Sequence, residues 1–122
     1  MAGHRPERVA HLVQVELARL LLEEAKNPRL REVIVTAVRM TPDLRLARVY
    51  FRTLGPASDA KGLTRALEGA SHFLRGQVAH ALGLRVTPEL RFEYDATPDT
   101  ARRLDDLLRA AGTAADDEDT EE

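Results

Sequence analysis

The residues with the widest chemical range in this 122-residue chain are its four histidines, His4, His11, His72 and His80. No two of them stand four apart on a helix, and no cysteine is present to complete a zinc set. They read as ordinary surface or half-buried histidines. Ser71-His72 has the residue types of a nucleophile and its base. Successive residues on a helix point about 100° apart, however, so hydroxyl and imidazole do not face each other. Asp95, Asp99, Asp105 and Asp106 flank or lie on a terminal helix and read as a solvated face. The chain has neither G-x-x-x-x-G-K nor G-x-G-x-x-G, the usual cradles for nucleotide phosphates. The expectation is no enzyme, no metal and no cofactor.

What remains is electrostatics. The net charge of −2 conceals an asymmetry, because the last ten residues, TAADDEDTEE, hold six acids and no base. The chain before that tail is net positive, and 16 of its 18 basic residues are arginine. A guanidinium fork matches phosphate and stacks on bases, so this composition permits nucleic-acid binding without requiring it. Arg65 and Arg75 bracket Gly69-Ala70-Ser71-His72, a run of small residues inside a helical stretch. Glycine in a helix interior costs about 1 kcal/mol relative to alanine. Either Gly69 is tolerated, or admits a close neighbour, or the helix breaks there. A break would expose backbone N–H donors at a second helix start, a ready phosphate site.

These residues need elements to hold them. Pro6 and Glu7 suit the first turn of a helix that Asn27-Pro28 stops, with Val9, Leu12, Val13, Leu17, Leu20 and Leu21 at helical spacing. EVIVTAVRM is apolar on both alternating faces, as in a well-covered strand. In RLARVYFRTL, Ala47, Val49 and Phe51 alternate with Arg48, Tyr50 and Arg52. The short TPDL connection makes the pair an antiparallel hairpin. Ser58 or Asp59 is the expected cap of a second helical region, whose inward stripe is Leu63, Ala66, Leu67, Ala70, Leu74, Val78 and Leu82. Gly83 ends it in a left-handed turn. Leu90, Phe92 and Tyr94 give a third strand one buried face. Thr97-Pro98 opens a last helix with Leu104, Leu107, Leu108 and Ala111 on its apolar side. The tail is too charged to fold. This order predicts an α+β sandwich with helices on one face of a three-stranded sheet and Arg48, Arg52 and Arg91 on the other. Residues 1–112 form one domain, and 113–122 an acidic disordered tail.

The succession RPERVAHLVQVELARLL, NPRL, VIVTAVRMTPDLRLARVYF and ALEGASHFLRGQVAHALGLRVTPELRFEYD resembles ribosome-binding factor A from about Arg5 to Leu108. The most specific stretches are VTAVRMTPDLRLARVYF and LRVTPELRFEYD. The resemblance implies a type II K-homology-like order, α-β-β-α-kink-α-β, in agreement with the reading of the residues. It further implies a non-enzymatic factor that binds the free, immature small (30S) ribosomal subunit through 16S rRNA, assists late assembly and rRNA processing, and matters for growth in the cold. Ordinary K-homology domains clamp a nucleic-acid backbone with a G-x-x-G loop. The family has instead an Ala-x-Gly kink between helices. Ala70-Ser71-His72 falls there, with His72 where the family has glycine, a residue that takes left-handed angles more cheaply. The RNA-contact candidates are Arg5 and Arg8 at the first helix, Arg65, Ala70, Ser71, His72 and Arg75 at the kink, and Arg85 before the third strand.

Two rivals stand beside this expectation. One is a general K-homology-type module for single-stranded RNA, and the other a protein-interaction domain that uses no RNA. No apolar run reaches the ~20 residues needed to span a bilayer, and MAGHRPERVAH lacks the apolar core of a secretory signal. A cytoplasmic, monomeric protein without membrane partners is expected.

Overall fold

The computed structural model describes residues 5–97, 102 and 104–110. Helix α1 spans Arg5–Glu23, and its predicted stripe is inside: Val9, Val13, Leu17, Leu20 and Leu21 are all buried. Leu12 is the exception and faces solvent. Past the helix end, Asn27 Oδ1 accepts the Arg29 N–H at 3.0 Å. That cap opens a 3-10 turn, Pro28–Glu32, which drives Leu30 into the core.

Strands β1 (Val33–Met40) and β2 (Leu46–Thr53) form the predicted antiparallel hairpin. The tight turn is closed by the Thr41 N–H donating to Leu46 O at 3.0 Å. It places Leu44 at φ 62, a left-handed angle that bulky residues rarely adopt. The register shifts between Val35 and Ala37. This bulge frees the Thr36 hydroxyl to donate to Asp95 Oδ2 at 2.8 Å. β3 (Glu89–Tyr94) lies parallel to β2, so the sheet order is β1-β2-β3 with β2 in the centre. The expected full coverage of β1 is not found. Its residues are half-buried, apart from exposed Arg39, because an edge strand has a neighbour on one side only.

A parallel pair needs a long crossover, supplied here by helix α2, Ala60–Leu82. Leu63, Leu67, Leu74 and Val78 are fully buried along it. Asp59, one of the two expected caps, occupies the N-cap position but makes no side-chain cap bond, and Ser58 lies in the preceding 3-10 turn Ala57–Asp59. Gly83 does end the helix in the left-handed conformation, φ 64 and ψ 35. The Leu84 N–H then reaches back to Ala79 O at 2.9 Å.

The expected kink is not a break. α2 is helical without interruption through Gly69, Ala70, Ser71 and His72. The buried stripe continues in register on both sides of Gly69. One glycine costs about 1 kcal/mol, less than abandoning a turn of hydrogen bonds anchored by four buried apolar residues.

The α+β class and the layering hold. α1 and α2 pack on one sheet face over Ala47, Val49, Phe51, Leu90 and Phe92. Residues 104–110 are helical, with Leu104 half-buried and Leu107 68% exposed. His4, Pro98, Asp99, Ala111 and the acidic tail lie outside the described residues.

Candidate nucleic-acid interface

Phosphate recognition requires cations whose charge is not already spent, so each basic side chain matters by its partner. On the open sheet face, Arg39, Arg48 and Arg91 stand opposite one another across all three strands. Like charges in cross-strand register repel. Two of the three are compensated: Arg48 Nη1 meets Glu93 Oε2 at 3.4 Å, and Arg91 Nε meets Glu89 Oε2 at 3.2 Å. Arg52, on the same face, lies 5.1 Å over the Tyr94 ring and donates to Asp95 O. Two of these four arginines are thus neutralised by carboxylates on the sheet itself.

The predicted candidates separate into three groups. Arg5 and Arg85 line one cavity of about 420 Å³, together with Pro42, Asp43, Leu44 and Val86. Arg8, one turn along α1, is exposed as well. Arg39 borders the adjoining hollow with Pro6 and His11. None of Arg5, Arg8, Arg39 or Arg85 has a carboxylate partner among the described residues. Two acids share this region: Glu7, in the first turn of α1, and Asp43, whose carboxyl is held below the ordinary value because it accepts the Thr41 hydroxyl and the Arg45 N–H.

The second group is on α2. Arg65 and His72 are exposed, while Ala70 and Ser71 are half-buried. Because the helix is continuous, the amides of this stretch are committed to the helix, and the expected backbone phosphate cradle is absent. Any ligand here meets side chains alone.

Arg75 forms the third group by itself. Its Nε donates to Pro88 O at 3.0 Å and its Nη2 to Thr87 O at 3.4 Å. Pro88 is fully buried, so this guanidinium fastens the approach of β3 to α2. Only Nη1 is outside those two bonds.

Sequence reading passed over a further feature beside Ala70. Ala25, Lys26 and Asn27 face Ala66, Gly69, Ala70 and Phe73 across a groove of about 480 Å³ floored by Leu30. Phe73 is 41% exposed there. The available signal was its position, about 100° around α2 from the Leu63–Leu67–Leu74–Val78 stripe.

Comparison with known proteins gives a consistent result. The family model described as ribosome-binding factor A matches residues 5–108. The chain is 34% identical over 122 residues to ribosome-binding factor A of Trichlorobacter lovleyi, covering 100% of this chain and 99% of that one. It is 44% identical over 108 residues to that of Sorangium cellulosum, covering 86% of each. The crystal structure of ribosome-binding factor A from Thermus thermophilus superposes with a TM-score of 0.57 at 26% identity, over 77% of this chain and 96% of that one. A homology model of the Thermus thermophilus factor, fitted into a cryo-electron-microscopy map of a 30S complex, gives 0.54 at 33% identity, over 73% and 98%.

Proposed function

The chain belongs to the ribosome-binding factor A family, and on that premise we propose that it binds the immature small (30S) ribosomal subunit through 16S rRNA and assists its late assembly and rRNA processing. The observation that carries this reading is the coincidence of the family match with nearly the whole described fold, residues 5–108. A homologue with this fold has been fitted into a 30S complex, which supports the choice of partner. Arg5, Arg8 and Arg85 around the start of α1, without carboxylate partners among the described residues, supply a surface suited to phosphates.

The mechanism is occupancy. A bound protein favours whichever rRNA arrangement it binds more tightly, by the ratio of its affinities for the competing forms. No bond is made or broken and no cofactor is needed. The factor acts as a monomer in the cytoplasm, on free subunits and not on translating ribosomes. Among the described residues no helix is long and apolar enough to cross a membrane, in keeping with that setting.

Sedimentation of the tagged protein with cell lysate tests the proposal. Co-migration with free small subunits is the expected result. Protein that stays at the top of the gradient, or follows only translating ribosomes, sinks it.

A further inference from the structure

Gly69 has no structural reason to be glycine. A Cβ built there meets nothing within 4 Å, and the residue is helical and exposed. Its absent side chain does one thing: it leaves open the groove between α2 and the segment joining α1 to β1. One turn on, Phe73 lines the same groove with 41% of its surface exposed, while Phe51 and Phe92 are buried in the core. Phe73 makes no ring contact among the described residues; Phe51 and Tyr94 pair with each other instead. The helix therefore carries an apolar ring beside a vacant position, over a floor of Leu30 and Ala70.

Charge decides what fits. Lys26 on the rim and Arg65 one turn before Gly69 are exposed and have no carboxylate partner among the described residues. The Arg29 guanidinium crosses α2 at Gly62, 3.1 Å from where a Cβ there would sit. Glu24, the acid on the rim, is already held by Arg19 Nη1 at 2.9 Å. Exposed Glu68 projects about 100° around the helix from Gly69, off the groove. The slot is apolar within and positive at its edge. Its complement is a flat, weakly polar ring carried on an anionic chain.

We propose that this groove receives an unstacked nucleobase of single-stranded RNA, stacked on Phe73, with Lys26, Arg29 and Arg65 facing the flanking phosphates. Single-stranded segments are where bases are free to splay onto aromatic side chains, and such stacking tolerates any base. The site deepens the small-subunit reading and rests on it.

The test compares binding to purified immature small subunits. Gly69→Leu fills the groove at a position with open space, so the variant keeps or raises its thermal midpoint. Phe73→Leu keeps apolar bulk but loses the ring. Each is expected to weaken binding roughly 5- to 100-fold, the span of one lost base–aromatic stack. A variant carrying p-benzoylphenylalanine in place of Phe73 should photo-crosslink to RNA. Unchanged affinity in both variants overturns the groove assignment, as do crosslinks to ribosomal protein alone. In those cases an Arg5, Arg8 and Arg85 triple alanine variant that loses binding leaves the small-subunit reading intact. Wild-type protein that does not bind immature subunits overturns both.

Discussion

Arg75 and Arg85 are the same residue type ten positions apart, yet they do different work because one is fastened and the other is free. Arg75→Ala removes two charge-assisted bonds to Thr87 and Pro88 carbonyls. It should cost about 1–2 kcal/mol in denaturant unfolding. Arg75→Lys should recover only part of that, since an ammonium lacks the fork. Both effects appear without any ligand present. Asp43 gives a pH signature. Its folded-state pKa is lowered, so the stability it contributes is present above its unfolded value near 3.8 and is lost as pH falls through the lower folded value. Urea midpoints for wild type and Asp43→Asn should therefore draw together below pH 4, and parallel curves there would contradict the assignment. Sequence named the arginines but not their partners. Which guanidinium meets which carbonyl depends on contacts between α2 and the approach to β3, and no local pattern encodes them.

Helices and strands were far more legible, because periodicity and turn residues act locally. The stripe of α1, the alternation of Ala47, Val49 and Phe51, and the left-handed Gly83 are found where the pattern puts them. Gly69 shows where that legibility ends. A glycine beside Ala70 and Ser71 looks like a hinge when only neighbouring residues are considered. The buried leucines on both sides hold the helix through it, and a Cβ at Gly69 would meet nothing within 4 Å. Two glycines on one helix should accordingly respond in opposite directions. Gly83→Ala forces a Cβ into φ 64 and should destabilise by about 1 kcal/mol. Gly69→Ala should stabilise by about 0.5–1 kcal/mol, since nothing obstructs the new methyl group. Thermal unfolding of the two variants reads both signs.

Taken whole, the protein segregates its charge. On the sheet face Arg48 and Arg91 are balanced by Glu93 and Glu89, whereas the arginines at the start of α1 and the cations at the groove rim have no such partner among the described residues. Binding that uses four to six phosphate contacts should weaken with potassium chloride at a log–log slope of roughly −3 to −5. Neutralising Arg5, Arg8 and Arg85 should flatten that slope, and Glu93→Lys should change it little. A salt-independent affinity would remove the electrostatic account altogether.

The sheet's parallel pairing also sets a timetable for biosynthesis. β1 and β2 are joined by a tight turn and can zip within microseconds of emerging. The inner edge of β2 must then wait until the crossover helix and β3 have been translated, a delay of about 2–8 s at ordinary elongation rates. During that interval Val49 and Phe51 sit on an unzipped flank, so the nascent chain is most prone to stick to its neighbours just before its last strand arrives.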